Sequence, residues 1–141
     1  MNNYRFEDLS IGMKESFEVV VSEEMMKDFL NISDDRNPLH IDEQFSKSQG
    51  YQDRVVYGLL TTSFISKLVG VLLPGKYCLL QGVETKYLNP VYINDTLTIE
   101  GEVNELHASV KRANIKVIIK NQNDEKVLKA KVDVGFLNYQ E

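Results

Sequence analysis

Asp35 and His40, five residues apart, are the side chains of this sequence whose types and spacing suit acid–base chemistry. They lie in Ser-Asp-Asp-Arg-Asn-Pro-Leu-His-Ile-Asp, residues 33–42, with Asn37 and Pro38 between them. Pro38 has no N–H and turns Asn37 away from helical angles, which predicts a bent loop rather than a continuing helix. A loop can aim a carboxylate and an imidazole at one point, and the pair then suits transfer of a shared proton. Taken alone, Asp-x-Asn-Pro is also a common turn composition, and a single loop histidine is commonly no more than surface.

The elements that must position this loop are legible on both sides of it. Ser16–Val21 has strand character, and Ser22 is a good N-cap for a helix carrying Met25, Met26, Phe29 and Leu30 at helical spacing. A further helical turn is expected over Asp42–Ser48. From Gly58 to Leu73 the apolar residues Leu60, Phe64, Leu68 and Leu72 recur every four positions, with Leu59, Ile65, Val69 and Leu73 beside them. That pattern predicts a helix buried on most sides, stopped by Pro74-Gly75. Four strand-like runs follow: Tyr77–Tyr87, Thr96–Leu106, Asn114–Lys120 and Val127–Leu137. Asn89-Pro90, Asn94-Asp95 and residues 121–124 supply the turns between them. A buried helix and then a series of antiparallel strands is an α+β arrangement with the sheet curled round the helix.

Composition narrows the classes of function. A chain of 141 residues, 43% hydrophobic and 26% charged, is expected to form one domain with a single core, spanning 1–141. A net charge of −5 argues against a broad nucleic-acid-binding surface. The single cysteine, Cys78, has no partner for an internal disulfide, fits a reducing compartment and sits in an apolar run as a core residue. The N-terminus has no signal-like apolar run, and no stretch reaches the ~18 apolar residues of a membrane span. A cytoplasmic protein is expected. No dinucleotide, P-loop or serine-hydrolase motif is present, so no cofactor is expected. The Cys/His clusters of zinc sites are absent and His107 is distant in sequence, so no metal is expected either.

Asp35, Asn37, Pro38 and His40 resemble the Gly-Asp-x-Asn-Pro-x-His signature of the MaoC-like, (R)-specific enoyl-CoA hydratases. The likeness extends through Arg54–Leu60, Leu73-Pro74-Gly75 and Asn89–Leu97, and covers roughly residues 5–137. Asp34 stands where that family usually has Gly, Tyr57 where it has His, and Asn94 where it has Gly. The resemblance implies the hotdog fold, an antiparallel sheet wrapped around a long central helix. It also implies hydration of a trans-2-enoyl thioester and the reverse dehydration of an (R)-3-hydroxyacyl thioester. Asp35 and His40 would then bind and activate the water, and which of them delivers the proton to the α-carbon stays open.

Gly58, opening the buried helix, would direct a free backbone N–H at the thioester oxygen as an oxyanion hole. Asn37 would fix the loop, and Ser66 matches a supporting family serine or is a plain helix-surface residue. The implied partners are acyl-CoA or acyl-carrier-protein thioesters and a second copy of the chain, in a homodimer or higher oligomer. Arg54, Lys67, Lys76 and Lys86 are candidate contacts for the anionic pantetheine-nucleotide arm. Two other functions stay in play. A hotdog thioesterase usually carries its carboxylate on or near the central helix, and residues 58–73 contain none. A non-catalytic acyl-thioester binder would accommodate Asp34 and Tyr57, since Asp34 could weaken Asp35 as a base by like-charge repulsion.

Overall fold

The structure, a computed structural model, describes residues 1–138. After a short 3-10 turn at Phe6–Asp8, strand β1 (Lys14–Val20) leads to Ser22, whose hydroxyl accepts the Met25 N–H at 3.1 Å. This cap starts helix α1 (Glu23–Ser33) as its sequence predicts. Helix α1 ends on Asp34 in the left-handed conformation, φ 53°, with its N–H on the Leu30 carbonyl at 2.8 Å.

The segment beyond is not the plain bent loop expected of it. Asn37 is extended, as predicted, but Pro38–Ile41 forms a one-turn helix, α2. Pro38 occupies its first position, where a missing N–H costs nothing and the fixed φ is already helical. Proline therefore ends one helix here and starts another. Asp42 caps the next, α3 (Glu43–Ser48), accepting the Phe45 N–H at 3.1 Å.

The long helix begins at Gly58. Helix α4 (Gly58–Lys67) runs on into a π-helical segment, Leu68–Leu72. Then come β2 (Cys78–Tyr87), β3 (Thr96–His107), β4 (Arg112–Lys120) and β5 (Lys126–Phe136). The sheet is antiparallel throughout, in the order β1-β3-β4-β5-β2, so β1 and β2 are its edges. On β4 the side chains of Ala113, Ile115, Val117 and Ile119 are buried on one face, while Arg112 and Lys116 on the other are exposed. Leu97, Ile99 and Val103 of β3 and Leu128, Val132 and Val134 of β5 complete the inner face.

Leu60, Ile65, Leu68, Val69 and Leu73 of the helical segment press into this face. At Gly101 the approach is closest: an added Cβ would stand 2.9 Å from Leu68 Cδ2 and 3.2 Å from Ile115 Cγ2. This is the hotdog arrangement of an α+β sheet around a central helix. One sheet covers one side only, however, so the helix is less enclosed than its composition predicts. Leu59 is 67% exposed, and Ser63, Ser66 and Lys67 lie on the same open side. Cys78, at the start of β2, is half-buried against the core, and burial pushes its thiol up to about 11. Among the described residues, no helix is long and apolar enough to cross a membrane.

Candidate active site

Local hydrogen bonds shape the loop that carries Asp35 and His40. The Asp35 N–H donates to Ser33 Oγ at 3.1 Å, and Asp35 Oδ1 accepts the Asn37 N–H at 3.0 Å. Asn37 Oδ1 in turn accepts the Leu39 N–H at 2.9 Å and caps α2. Asn37 thus holds the loop through side-chain-to-backbone bonding. Ser46, fully buried on α3, donates its hydroxyl to the Leu39 carbonyl at 2.7 Å and pins α2 from below.

His40 is oriented by a more distant group. Its Nδ1 lies 2.6 Å from the Val55 carbonyl oxygen. A carbonyl only accepts, so Nδ1 carries the proton, and Nε2 of the neutral ring is left as a free acceptor. The Val55 segment is itself held on both sides. Its N–H donates to the Leu39 carbonyl at 3.0 Å, and the Val56 N–H donates to the Val91 carbonyl at 2.8 Å.

Tyr57 locks the arrangement. The Tyr57 ring is 2% exposed, packed between Phe29 (centroids 4.7 Å apart) and the His40 imidazole (4.2 Å). Its hydroxyl donates to the Asp35 backbone carbonyl at 2.8 Å. Burial, with the nearby Asp35 charge, pushes the phenol above its ordinary pKa, so it stays a protonated donor. Tyr57 therefore packs and tethers, consistent with the residue's position between two expected functional groups.

Asp35, His40 and Gly58 border one cleft of about 220 Å³, with Phe29, Tyr57, Leu59 and Tyr87 as its other walls. No hydrogen bond joins Asp35 to His40 directly, and the cleft lies at both. Gly58 is the first residue of α4, and its N–H has no acceptor among the described residues. The positive end of the helix thus opens onto the cleft. An added Cβ on Gly58 would sit 3.1–3.2 Å from the Tyr87 ring, so glycine permits a close approach here.

Ser66 is not brought to this cleft. It lies two turns along α4, exposed, and does not border this cleft. Sequence reasoning missed Tyr87, the Val55 carbonyl and Ser46; the one signal for Tyr87 was its place just before Asn89-Pro90.

Asp34 does not leave an unbalanced carboxylate beside Asp35, because its Oδ1 pairs with Arg36 Nε at 2.9 Å. Of the four candidate cations, Arg54 is paired with Glu23, Lys67 lies over the Phe17 ring and Lys76 over that of Tyr77. Lys86 is on the outer face of the sheet beside Lys129.

Comparison with known proteins identifies the family and the fold. A sequence profile of the MaoC like domain matches residues 8–127. The 3-hydroxybutyryl-CoA dehydratase of Methylorubrum extorquens is 33% identical over 110 residues, 78% of this chain and 70% of that protein. The (R)-specific enoyl-CoA hydratase of Aeromonas caviae is 32% identical over 100 residues, 71% of this chain and 75% of that protein. Among solved structures, the (R)-hydratase from A. caviae superposes with a TM-score of 0.88 at 27% identity, covering 93% of this chain and 99% of the other. An unliganded R-hydratase from Pseudomonas aeruginosa has the same fold, with a TM-score of 0.88 at 24% identity, covering 99% and 93%. Sheet, central helix and the loop at its N-terminal end define a hotdog-fold protein. The chain belongs to the MaoC-like domain family.

Proposed function

We propose that this protein catalyses (R)-specific hydration of a trans-2-enoyl thioester to the (R)-3-hydroxyacyl thioester, and the reverse dehydration. It is a lyase of the enoyl-CoA hydratase and 3-hydroxyacyl dehydratase type. The single observation that carries the finer reading is the cleft shared by Asp35, His40 and the free N–H of Gly58.

Water held between the Asp35 carboxylate and His40 Nε2 loses a proton to this pair as its oxygen bonds to the β-carbon. The C2–C3 π electrons move toward the thioester carbonyl, and the Gly58 N–H receives the growing negative charge on its oxygen. Single donors of this kind contribute about 2.7–4 kcal/mol where they have been removed. A proton passes from the Asp35–His40 pair to the α-carbon, the carbonyl re-forms, and the net change is H and OH added across one C=C bond. Dehydration runs the same steps backwards.

A thioesterase finds no carboxylate on α4, whose residues 58–67 contain neither Asp nor Glu. The substrate carrier is coenzyme A or an acyl-carrier protein, both of which present the same pantetheine thioester. The protein works as a single cytoplasmic domain in a homodimer built on the β2 edge. Leu79, Leu80 and Val83 of that edge are 42–48% exposed, and Leu59 lies open on α4.

The deciding experiment follows the enoyl-thioester absorbance of crotonyl-CoA with wild type and Asp35→Asn. Loss of the band with wild type alone supports both reaction and base. Equal loss with both proteins removes Asp35 from the mechanism, and no loss with wild type rules out hydration of this short CoA ester.

A further inference from the structure

Helix α2 stops two residues after Leu39, so the Leu39 carbonyl meets no N–H of its own turn. Two groups from outside take it: the Ser46 hydroxyl at 2.7 Å and the Val55 N–H at 3.0 Å. At the other end of the same peptide, the His40 N–H donates to the Asn37 carbonyl at 3.0 Å. The Leu39–His40 peptide plane is therefore held at its oxygen and at its nitrogen. Val55 closes the ring of contacts, because its N–H is on Leu39 and its carbonyl oxygen is 2.6 Å from His40 Nδ1. From the far side Val55 is fixed by its bridge to Tyr92 and by the Val56 N–H on the Val91 carbonyl.

Ser46 supplies a side-chain hydroxyl to this ring of contacts, and it is 0% exposed. Thr61, the other buried polar side chain among the described residues, reaches only the Tyr57 carbonyl, four residues back in the chain. Ser46 also lies 3.1 Å from the Asp42 carbonyl at the start of α3, but its single proton serves the shorter bond to Leu39. A buried hydroxyl costs stability unless it is bonded, and alanine would occupy the site without that cost. What the hydroxyl adds is a fixed place for the Leu39 carbonyl, and through it for the Val55–His40 pair.

We infer that Ser46 is a positioning residue for His40: by holding the Leu39 carbonyl it sets Val55 where the Val55 carbonyl keeps the imidazole proton on Nδ1 and leaves Nε2 free to accept one. For its effect on rate the inference rests on the hydratase reading of the site; for its effect on the ring it rests on the hydrogen bonds alone. His107 provides the opposite case within the same chain. Its Nε2 lies 3.2 Å from the Glu105 carboxylate, which only accepts, so the neutral His107 ring carries its proton on Nε2. The two histidines of this chain thus hold opposite tautomers.

The test records nitrogen NMR spectra of histidine-labelled protein, which report the tautomer of each ring, for wild type, Ser46→Ala and Ser46→Cys. In parallel, kcat and KM are measured with crotonyl-CoA. Above the titration of both rings, wild type should show one ring protonated on Nδ1 and one on Nε2. Ser46→Ala should lower the Nδ1-to-Nε2 ratio of His40 by about threefold or more, with His107 unchanged, the scale of one lost hydrogen bond. Its kcat should fall by about three- to tenfold at constant KM. A thiol fills the space but donates weakly, so Ser46→Cys should follow Ser46→Ala. A Ser46→Cys protein that matches wild type, or a lowered kcat with an unchanged His40 ratio, would give Ser46 a packing role and overturn the inference. So would a wild-type His40 protonated on Nε2. A shifted ratio with no turnover by any protein would sink the hydratase reading and leave Ser46 as the residue that sets the ring. Should Ser46→Ala fail to fold, an unchanged His40 ratio in Ser46→Cys would overturn the inference.

Discussion

Two departures from the family pattern share one physical cause. Asp34 and Asn94 replace glycines, and both adopt positive φ, 53° and 74°. Aspartate and asparagine tolerate the left-handed region better than other side chains, so the backbone path survives without glycine. The third departure, Tyr57, exchanges an imidazole for a phenol that reaches the loop carrying Asp35 and His40, through the Asp35 carbonyl. At this scale the reaction makes two demands. Asp35→Asn and His40→Ala should each lower kcat by about 10²-fold or more, the range of a lost acid–base group, while thermal melts stay near wild type. Tyr57→Phe keeps the ring between Phe29 and His40 and loses only the hydrogen bond. Stability should fall by about 0.5–1.5 kcal/mol in urea titrations, and kcat should fall with little change in KM, because the loop is loosened while the acyl walls remain.

Elements, not residues, set the distance between helix and sheet. Residues 58–72 must lie close to the sheet for Gly58 to meet the loop carrying His40, and Gly101 of β3 permits that closeness beneath Leu68. Gly101→Val would drive side-chain atoms into Leu68 and Ile115, and overpacking of this kind costs about 1–3 kcal/mol. A lowered urea midpoint at constant m-value is the expected result; an unchanged midpoint would show that the helix can ride up without penalty. Patterning made the helix and the four later strands readable, because their apolar residues repeat at 3.6 and 2. It did not reveal α2, one turn long and too short for any period to register. That helix exists because Asn37 caps it and Pro38 starts it.

For the whole molecule, the dimer proposed above would cover the apolar edge β2 and the open side of α4. Val83→Lys on β2 should convert a dimer to monomers in light scattering. A monomeric wild type at micromolar concentration would remove the dimer proposal. The pH dependence of global stability has a separate source in Cys78. Its folded pKa of about 11 lies above the ordinary thiol value of about 9, so the native state holds the proton more tightly. That contribution is complete below pH 9 and is lost between pH 9 and 11, as the unfolded chain ionises first. Melting temperatures of Cys78→Ala should therefore fall less steeply than those of wild type across this window.

What the sequence by itself determined is whatever short-range hydrogen bonding and periodicity encode: the Ser22 cap, the Asn37–Pro38 turn, the left-handed Asp34, the strand runs and the spacing of Asp35 from His40. Each depends on residues within a few positions of one another. The tertiary structure alone decided which His40 nitrogen is free, because the Val55 carbonyl that fixes it arrives from 15 residues away. It alone decided that Tyr87 lies over Gly58, since that contact requires β2 to pair with β5 and pass the helix N-terminus in this register. It also placed Ser66 on the open side of α4, away from the cleft that Asp35, His40 and Gly58 share. The His40–Val55 and Gly58–Tyr87 contacts both join distant segments, and no local pattern specifies where two such segments meet.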